Sequence, residues 1–221
     1  QKLDKQVLKY FKLKSKKRAN LSPWKKITKI VLNTKKFVNI AIIGKYVNLQ
    51  DAYKSLDEAL IHGGISNKIK VNLIRIESDH LKSVEIKKRL KNISGLLIPG
   101  GFGKRGTEGK ISAIKYAREN KIPFLGICFG MQMAIVEFAR NKLKIKKAGS
   151  SELDKKCYPV IGLIDEWDKN GKIIKGTDKN LGGTMRLGLY EAKLRNNSAI
   201  NRIYKSKLIN ERHRHRYEVN N

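Results

Sequence analysis

The sequence predicts an α/β fold, a mostly parallel sheet flanked by helices, with additional later strands. Short β-branched or aliphatic runs alternate with stretches of helical spacing between residues 37 and 140, the pattern of a parallel sheet covered on both faces. Glycine-rich turns follow two of those runs, where open α/β sheets gather their functional loops. A chain of 221 residues with 40% hydrophobic residues is long and apolar enough to bury a full core.

Residues 1–36 are basic and mildly amphipathic, and Leu21-Ser22-Pro23-Trp24 offers a helix start with proline in its first turn. This stretch reads as a linker or arm leading into a domain over residues 37–221. Val38-Asn39-Ile40-Ala41-Ile42-Ile43-Gly44 is the first strand. Residues 51–62 have helical spacing, with Gly63-Gly64 expected to end the helix. A strand over 69–76, a helix over 81–90 and the short strand Leu96-Leu97-Ile98 follow. Next come a helix over 107–120, a buried strand over 122–127 and a helix over 130–140. After residue 150 the alternation fades into longer, partly exposed strands over 158–164 and 184–194. Asp168-Lys169-Asn170-Gly171 marks a turn between them.

The formal net charge of +30 raises the question of nucleic acid. However, the lysines are scattered from end to end, whereas a nucleic-acid site clusters charge on one stripe with stacking aromatics. Lys12 to Arg18 reads as a solvated helical linker, and no nucleic-acid partner is expected. Residues 122–139 are largely apolar but broken by Pro123, Gly126, Gly130, Gln132 and Glu137, which argues against a membrane span. Cys128 and Cys157 are the two cysteines in a chain without a secretion signal, so reduced thiols in the cytoplasm are expected. The histidines are far from both thiols in sequence, and no metal site is expected. The start, Gln1-Lys2-Leu3-Asp4, reads as an internal cut rather than a natural beginning.

Gly126-Ile127-Cys128-Phe129-Gly130 follows a strand and opens a helix, the context of a nucleophile elbow. Its flanking glycines permit a sharp turn that lifts the cysteine above the sheet. The helix N-terminus behind it favours a thiolate, and the Phe129 N–H can help hold an oxyanion. A small buried cysteine at a glycine-flanked strand end would satisfy the same pentapeptide. Leu97-Ile98-Pro99-Gly100-Gly101-Phe102-Gly103 leaves the neighbouring strand and can supply a second oxyanion donor. It has neither the Gly-Lys-Ser/Thr ending nor the spacing of the phosphate-binding loops.

Pro99-Gly100-Gly101-Phe102-Gly103, together with Gly126 to Gln132, resembles the triad (class I) glutamine amidotransferases, whose sheet is flavodoxin-like. Further blocks resemble the CTP synthase family within that class: Gly44-Lys45-Tyr46, residues 51–55, 58–64, 181–188 and 211–220. The resemblance spans roughly residues 21–221. It implies that Cys128 attacks the side-chain amide of L-glutamine. Gly101, Phe129, Gly130, Met131 and Gln132 would bind the amide oxygen and the substrate. Glu152 would hold the α-ammonium group, and Arg216 would help hold bound glutamine. Cys157 has no glycine frame and reads as structural.

The resemblance also implies partners outside this sequence. An N-terminal synthetase domain would use ATP and Mg2+ to aminate UTP, GTP would activate glutamine hydrolysis through a loop such as residues 182–186, and the whole would form a homotetramer. No cofactor is expected within residues 1–221. The family's Phe-His-Pro-Glu segment, which activates the cysteine, has no counterpart here and would lie beyond Asn221. His62, His80, His213 and His215 are poor substitutes by position. Other readings remain: an amidotransferase subunit serving GMP or anthranilate synthesis, or a basic nucleic-acid-binding protein.

Overall fold

The computed structural model describes residues 2–14, 20–47, 49–79, 81, 83–164, 166–169, 172–175 and 185–220. The chain divides into two units, residues 1–38 with 55–72, and residues 39–54 with 73–221. The first contains α1 (Leu3–Tyr10), α2 (Ser22–Asn33) and most of α3 (Lys54–Ser66). Pro23 sits in the first turn of α2, as its missing N–H allows, and neither α1 nor α2 buries a residue.

One boundary differs from the sequence reading. α3 runs through Gly63 and Gly64 instead of ending there. A Cβ on Gly64 would lie 2.7 Å from Ile69 O and from Val71 Cγ2, so this glycine allows the returning chain to pack closely. The helix closes later, with Lys68 left-handed at φ 54. The Ile69 N–H donates to Gly64 O at 2.9 Å and the Lys68 N–H to Ile65 O at 3.0 Å, a Schellman closure.

The central sheet holds β1 (Phe37–Gly44), β2 (Lys70–Glu77), β3 (Gly95–Ile98) and β4 (Phe124–Gly126) in the order β2-β1-β3-β4. β1 and β3 are parallel, with Ala41 opposite Leu96, and so are β3 and β4, with Leu97 opposite Leu125. The order reverses between β1 and β3, and ligands bind outside the carboxyl ends of strands at such a switch point. β3 is buried throughout. Its side chains join a core that includes Ala41, Ile43, Ile86, Ile114, Phe129, Met133 and Val136, contributed partly by α4 (Ser83–Arg89), α5 (Thr107–Glu119) and α6 (Phe129–Asn141). β4, expected to be buried, has Leu125 55% exposed. It is the edge strand of the described sheet, and Leu125 lies on a face left exposed among the described residues.

The later strands form separate small sheets. β5 (Ala148–Ser150) and β11 (Tyr217–Val219) flank β6 (Tyr158–Leu163), parallel and antiparallel respectively. β7 (Glu166–Lys169) and β8 (Lys172–Lys175) make a hairpin. The turn residues Asn170 and Gly171 between them lie outside the described residues. β9 (Arg186–Lys193) pairs antiparallel with β10 (Leu208–His215), and the short helix α7 (Ala199–Tyr204) lies in the connection.

α5 and α6 are clasped by one buried ion pair. Arg118 Nε approaches Glu137 Oε2 at 3.0 Å, and an Arg118 terminal nitrogen approaches Oε1 at 2.8 Å, with Glu137 only 1% exposed. Removing the guanidinium leaves a carboxylate stranded against the core. Arg118→Met is therefore expected to destabilise the fold by about 3 kcal/mol, measured by chemical denaturation; a loss under about 1 kcal/mol, the range of exposed pairs, would show that the clasp is weak.

Candidate active site

The site is assembled at the carboxyl ends of β3 and β4, with residues that follow β5 and that stand around the corner between β10 and β11. Cys128 follows β4 and caps α6, with φ 52 and ψ −107, a conformation that costs a non-glycine residue free energy and persists only where the surroundings impose it. They impose it through backbone contacts. The Ile127 N–H donates to Ile98 O at 3.0 Å and the Gly130 N–H to Ile127 O at 2.9 Å. A Cβ on Gly130 would lie 2.1 Å from Ile98 O, and one on Gly126 would lie 2.6 Å from the Met131 nitrogen. The two glycines let the first turn of α6 cross directly over the end of β3, with the cysteine at the crest.

Cys128 opens onto a pocket of about 300 Å³, lined also by Gly101, Phe102, Gln132, Glu152, Met185, Arg214, His215, Arg216 and Tyr217. Five residues singled out in the sequence thus meet here: Cys128, Gly101, Gln132, Glu152 and Arg216. Gln132 is 5% exposed, and its amide nitrogen donates to Tyr217 O at 2.8 Å, which ties the helix that Cys128 caps to the Arg216 segment. Arg216 stands where β10 ends and β11 begins, and its carbonyl accepts from the Ile164 N–H at 2.8 Å. The Gly103 N–H donates to Glu152 Oε1 at 3.3 Å.

Phe129, Gly130 and Met131 are placed differently. The Phe129 ring is buried in the core, where Lys110 Nζ lies 5.1 Å from its centroid. Gly130 serves the helix crossing, and Met131 lines a separate apolar groove with Phe124 and Phe138. None of these three lines the Cys128 pocket, so any part they take in binding falls to their backbone. Cys157 is half-buried against Gly149 and lines a larger groove of about 620 Å³ that contains no residue of the elbow.

The electrostatics differ from the helix-terminus expectation. Burial of the Cys128 sulfur on its inner side pushes the thiol up, the Phe129 N–H pulls it down, and the Glu152 carboxylate pushes it up again. Burial is the largest influence although the residue as a whole is exposed, so the thiol lies above its ordinary range.

His215 lines the pocket but is already committed. Its Nδ1 lies 3.2 Å from Tyr217 O, and that carbonyl requires an N–H there. Its Nε2 lies 2.9 Å from His213 Nδ1 and so accepts from it. Burial and the adjacent His213 both lower the pKa of His215, in keeping with a neutral, structural imidazole. His80 lies outside the described residues, as do Leu181 to Thr184 of the loop expected to serve activation.

Sequence reasoning missed Phe102, Met185, Arg214, His215 and Tyr217 as pocket walls. A periodicity of two was present in residues 208–215, where Ile209, Glu211, His213 and His215 are half-buried and the residues between them exposed. The run of arginines obscured it. Among the described residues no group of three or more His, Cys, Asp or Glu could hold a metal ion, and no helix is long and apolar enough to cross a membrane.

Comparison with known proteins agrees with this geometry. The family model for glutamine amidotransferase class-I matches residues 48–221. In structure, the chain resembles the Trypanosoma brucei CTPS glutaminase domain with bound acivicin, with a TM-score of 0.71 and 34% identity over 83% of this chain and 68% of that one. The chain belongs to the class I glutamine amidotransferases, as a CTP synthase glutaminase domain. CTP synthase of Pelagibacter ubique is 77% identical over 220 residues, and that of Zymomonas mobilis 51% over 221. The glutaminase domain described here spans 41% of the length of each.

The raised thiol makes a checkable statement about this domain. Iodoacetamide reacts with the thiolate, so labelling of Cys128, followed by peptide mass spectrometry, should keep accelerating above the ordinary cysteine midpoint of about 8.5. A plateau by about pH 7 would mean that the helix terminus outweighs burial.

Proposed function

We propose that the chain hydrolyses L-glutamine through a Cys128 thioester and supplies the ammonia for amination of UTP to CTP. The observation that carries this reading is the strained elbow that raises Cys128 into a pocket shared with Gly101, Glu152 and Arg216. Glu152 binds the α-ammonium of glutamine, and Arg216 pairs with its carboxylate, which aims the side-chain amide at the sulfur. Loss of the thiol proton to a base gives the thiolate. It attacks the amide carbon, forming a C–S bond, and the carbonyl electrons move to oxygen.

That oxyanion is met by the N–H groups of Phe129 and of the Gly101 loop, charge-assisted bonds that strengthen as the charge develops. Collapse of the intermediate breaks the C–N bond; the leaving nitrogen takes a proton and departs as ammonia. Water then cleaves the thioester to glutamate and restores the thiol. His215, with both ring nitrogens engaged, does not act as the base. We assign that role to a histidine, oriented by a glutamate, outside the residues that line the described pocket.

In this reading the ammonia passes through an internal channel to a synthetase region of the longer protein. There ATP and Mg2+ activate the 4-oxygen of UTP as a phosphate, which the ammonia displaces. Residues 1–36 are the arm joining the two regions, GTP activates hydrolysis, and the protein works as a cytoplasmic homotetramer.

The decisive experiment uses the intact protein with ATP and UTP and either glutamine or free ammonia. Cys128→Ala should lose glutamine-supported CTP formation and keep ammonia-supported formation. Retention of glutamine-supported activity would remove Cys128 as nucleophile, and failure with ammonia in both proteins would remove the synthetase reading. Glu152→Ala should raise KM for glutamine by roughly tenfold or more, because a charge-assisted bond is worth about 1.5–3 kcal/mol, while ammonia-supported turnover stays level. Equal loss with both nitrogen sources would take Glu152 out of the glutamine site.

A further inference from the structure

We infer that Lys45 is a positioning residue for glutamine hydrolysis: it holds the loop after β3 so that the Gly101 region presents its N–H groups to the oxyanion. The inference rests on the hydrolytic reading above and adds a residue that lies outside the pocket lining.

Lys45 follows β1 directly and is 9% exposed, unusual for a lysine. Its ammonium donates to two successive backbone carbonyls, Phe102 O and Gly103 O, the second at 3.0 Å. Both belong to the loop that carries Gly101. The peptide unit between Phe102 and Gly103 is therefore held at both ends. Its carbonyl accepts from Lys45, and its N–H donates to Glu152 Oε1 at 3.3 Å. A peptide group is planar and its C=O and N–H point in opposite directions, so two partners on opposite sides fix its rotation.

The loop needs such an external hold. Residues 99–102 have no regular secondary structure, and Gly103 lies at φ 73. A Cβ on Gly101 would meet nothing within 4 Å, so side-chain packing does not fix the donor in place. An oxyanion donor is effective only when its direction is set before charge develops. Burial lowers the pKa of Lys45, and the two carbonyls repay that burial by accepting its protons.

The clamp also separates two effects that would otherwise be confounded. The Lys45 ammonium bonds the loop carbonyls Phe102 O and Gly103 O, whereas the Cys128 thiol answers chiefly to its own burial. Removing the ammonium should therefore spare the nucleophile's acidity and impair the step in which charge builds on oxygen.

The test compares the intact wild-type protein with Lys45→Met and Lys45→Arg using two probes of Cys128. The γ-aldehyde analogue of glutamine forms a tetrahedral hemithioacetal whose oxygen occupies the oxyanion position; iodoacetamide alkylates the same sulfur by direct displacement without one. Lys45→Met is expected to weaken aldehyde binding by roughly 10- to 10²-fold, below the roughly 10²- to 10³-fold loss seen when an oxyanion donor is removed outright. Its alkylation rate should stay within about twofold of wild type, and kcat for glutamine should fall more than KM rises. Lys45→Arg, which keeps charge and donors, should recover part of the loss. Unchanged aldehyde binding in Lys45→Met, or an equal loss of alkylation, overturns the clamp alone. Failure of the wild-type protein to form the adduct overturns the hydrolytic reading together with it.

Discussion

The site depends on a close backbone crossing between the end of β3 and the first turn of α6. Ile98 O lies where a Cβ on Gly130 would be, and Gly126 makes room for the same turn from the other side. Within that crossing the chain between the two glycines must bend sharply, and the bend falls on Cys128 at φ 52. The strain is local, and the surrounding structure over-determines it: β3 is buried along its full length, and Phe129 and Met133 anchor α6 in the core. A rigid sheet thus holds one residue's backbone in a conformation it would not adopt alone, the geometry of an elbow.

Around that crest the remaining groups arrive from distant parts of the chain, each held by backbone hydrogen bonds. Arg216 sits at the corner between β10 and β11, fixed through its own carbonyl, while Gln132 reaches across to the next residue's carbonyl. Glu152 follows β5 and contacts the loop after β3 through the Gly103 N–H. One carboxylate therefore both lines the Cys128 pocket and bonds the loop after β3. The Cys128 thiol is raised by burial, and the pocket histidine, His215, has both nitrogens bonded. The described residues thus fix where the sulfur stands, and the one imidazole that lines its pocket is bonded elsewhere.

Much of this was legible in the residues alone. The alternation of aliphatic runs with helical spacing predicted the central sheet, because buried parallel strands and amphipathic helices leave distinct periodicities. The pentapeptide around Cys128 and the glycine run after β3 pointed to the elbow and its neighbour, since each requires glycines that few other contexts demand. Legibility was poorer where residues answer to tertiary contacts. Gly64 looked like a helix stop and is a close-packing position. Leu125 looked buried and lies on the edge strand. The arginine-rich run near the end is a strand whose inward side chains are histidines.

The sequence by itself determined the fold class and the family and singled out Cys128, because these are written in local patterns: strand and helix periods, and short motifs whose backbone demands are met by a few residue types. Only the tertiary structure decided which of the motif's residues face the pocket, that Phe129 and Met131 turn away from it, that burial raises the thiol, and that Lys45 grips the loop carrying Gly101. These are properties of distance and desolvation between segments as many as 85 residues apart. A linear pattern does not carry them, because whether a lysine meets water or a carbonyl depends on what the rest of the fold places against it.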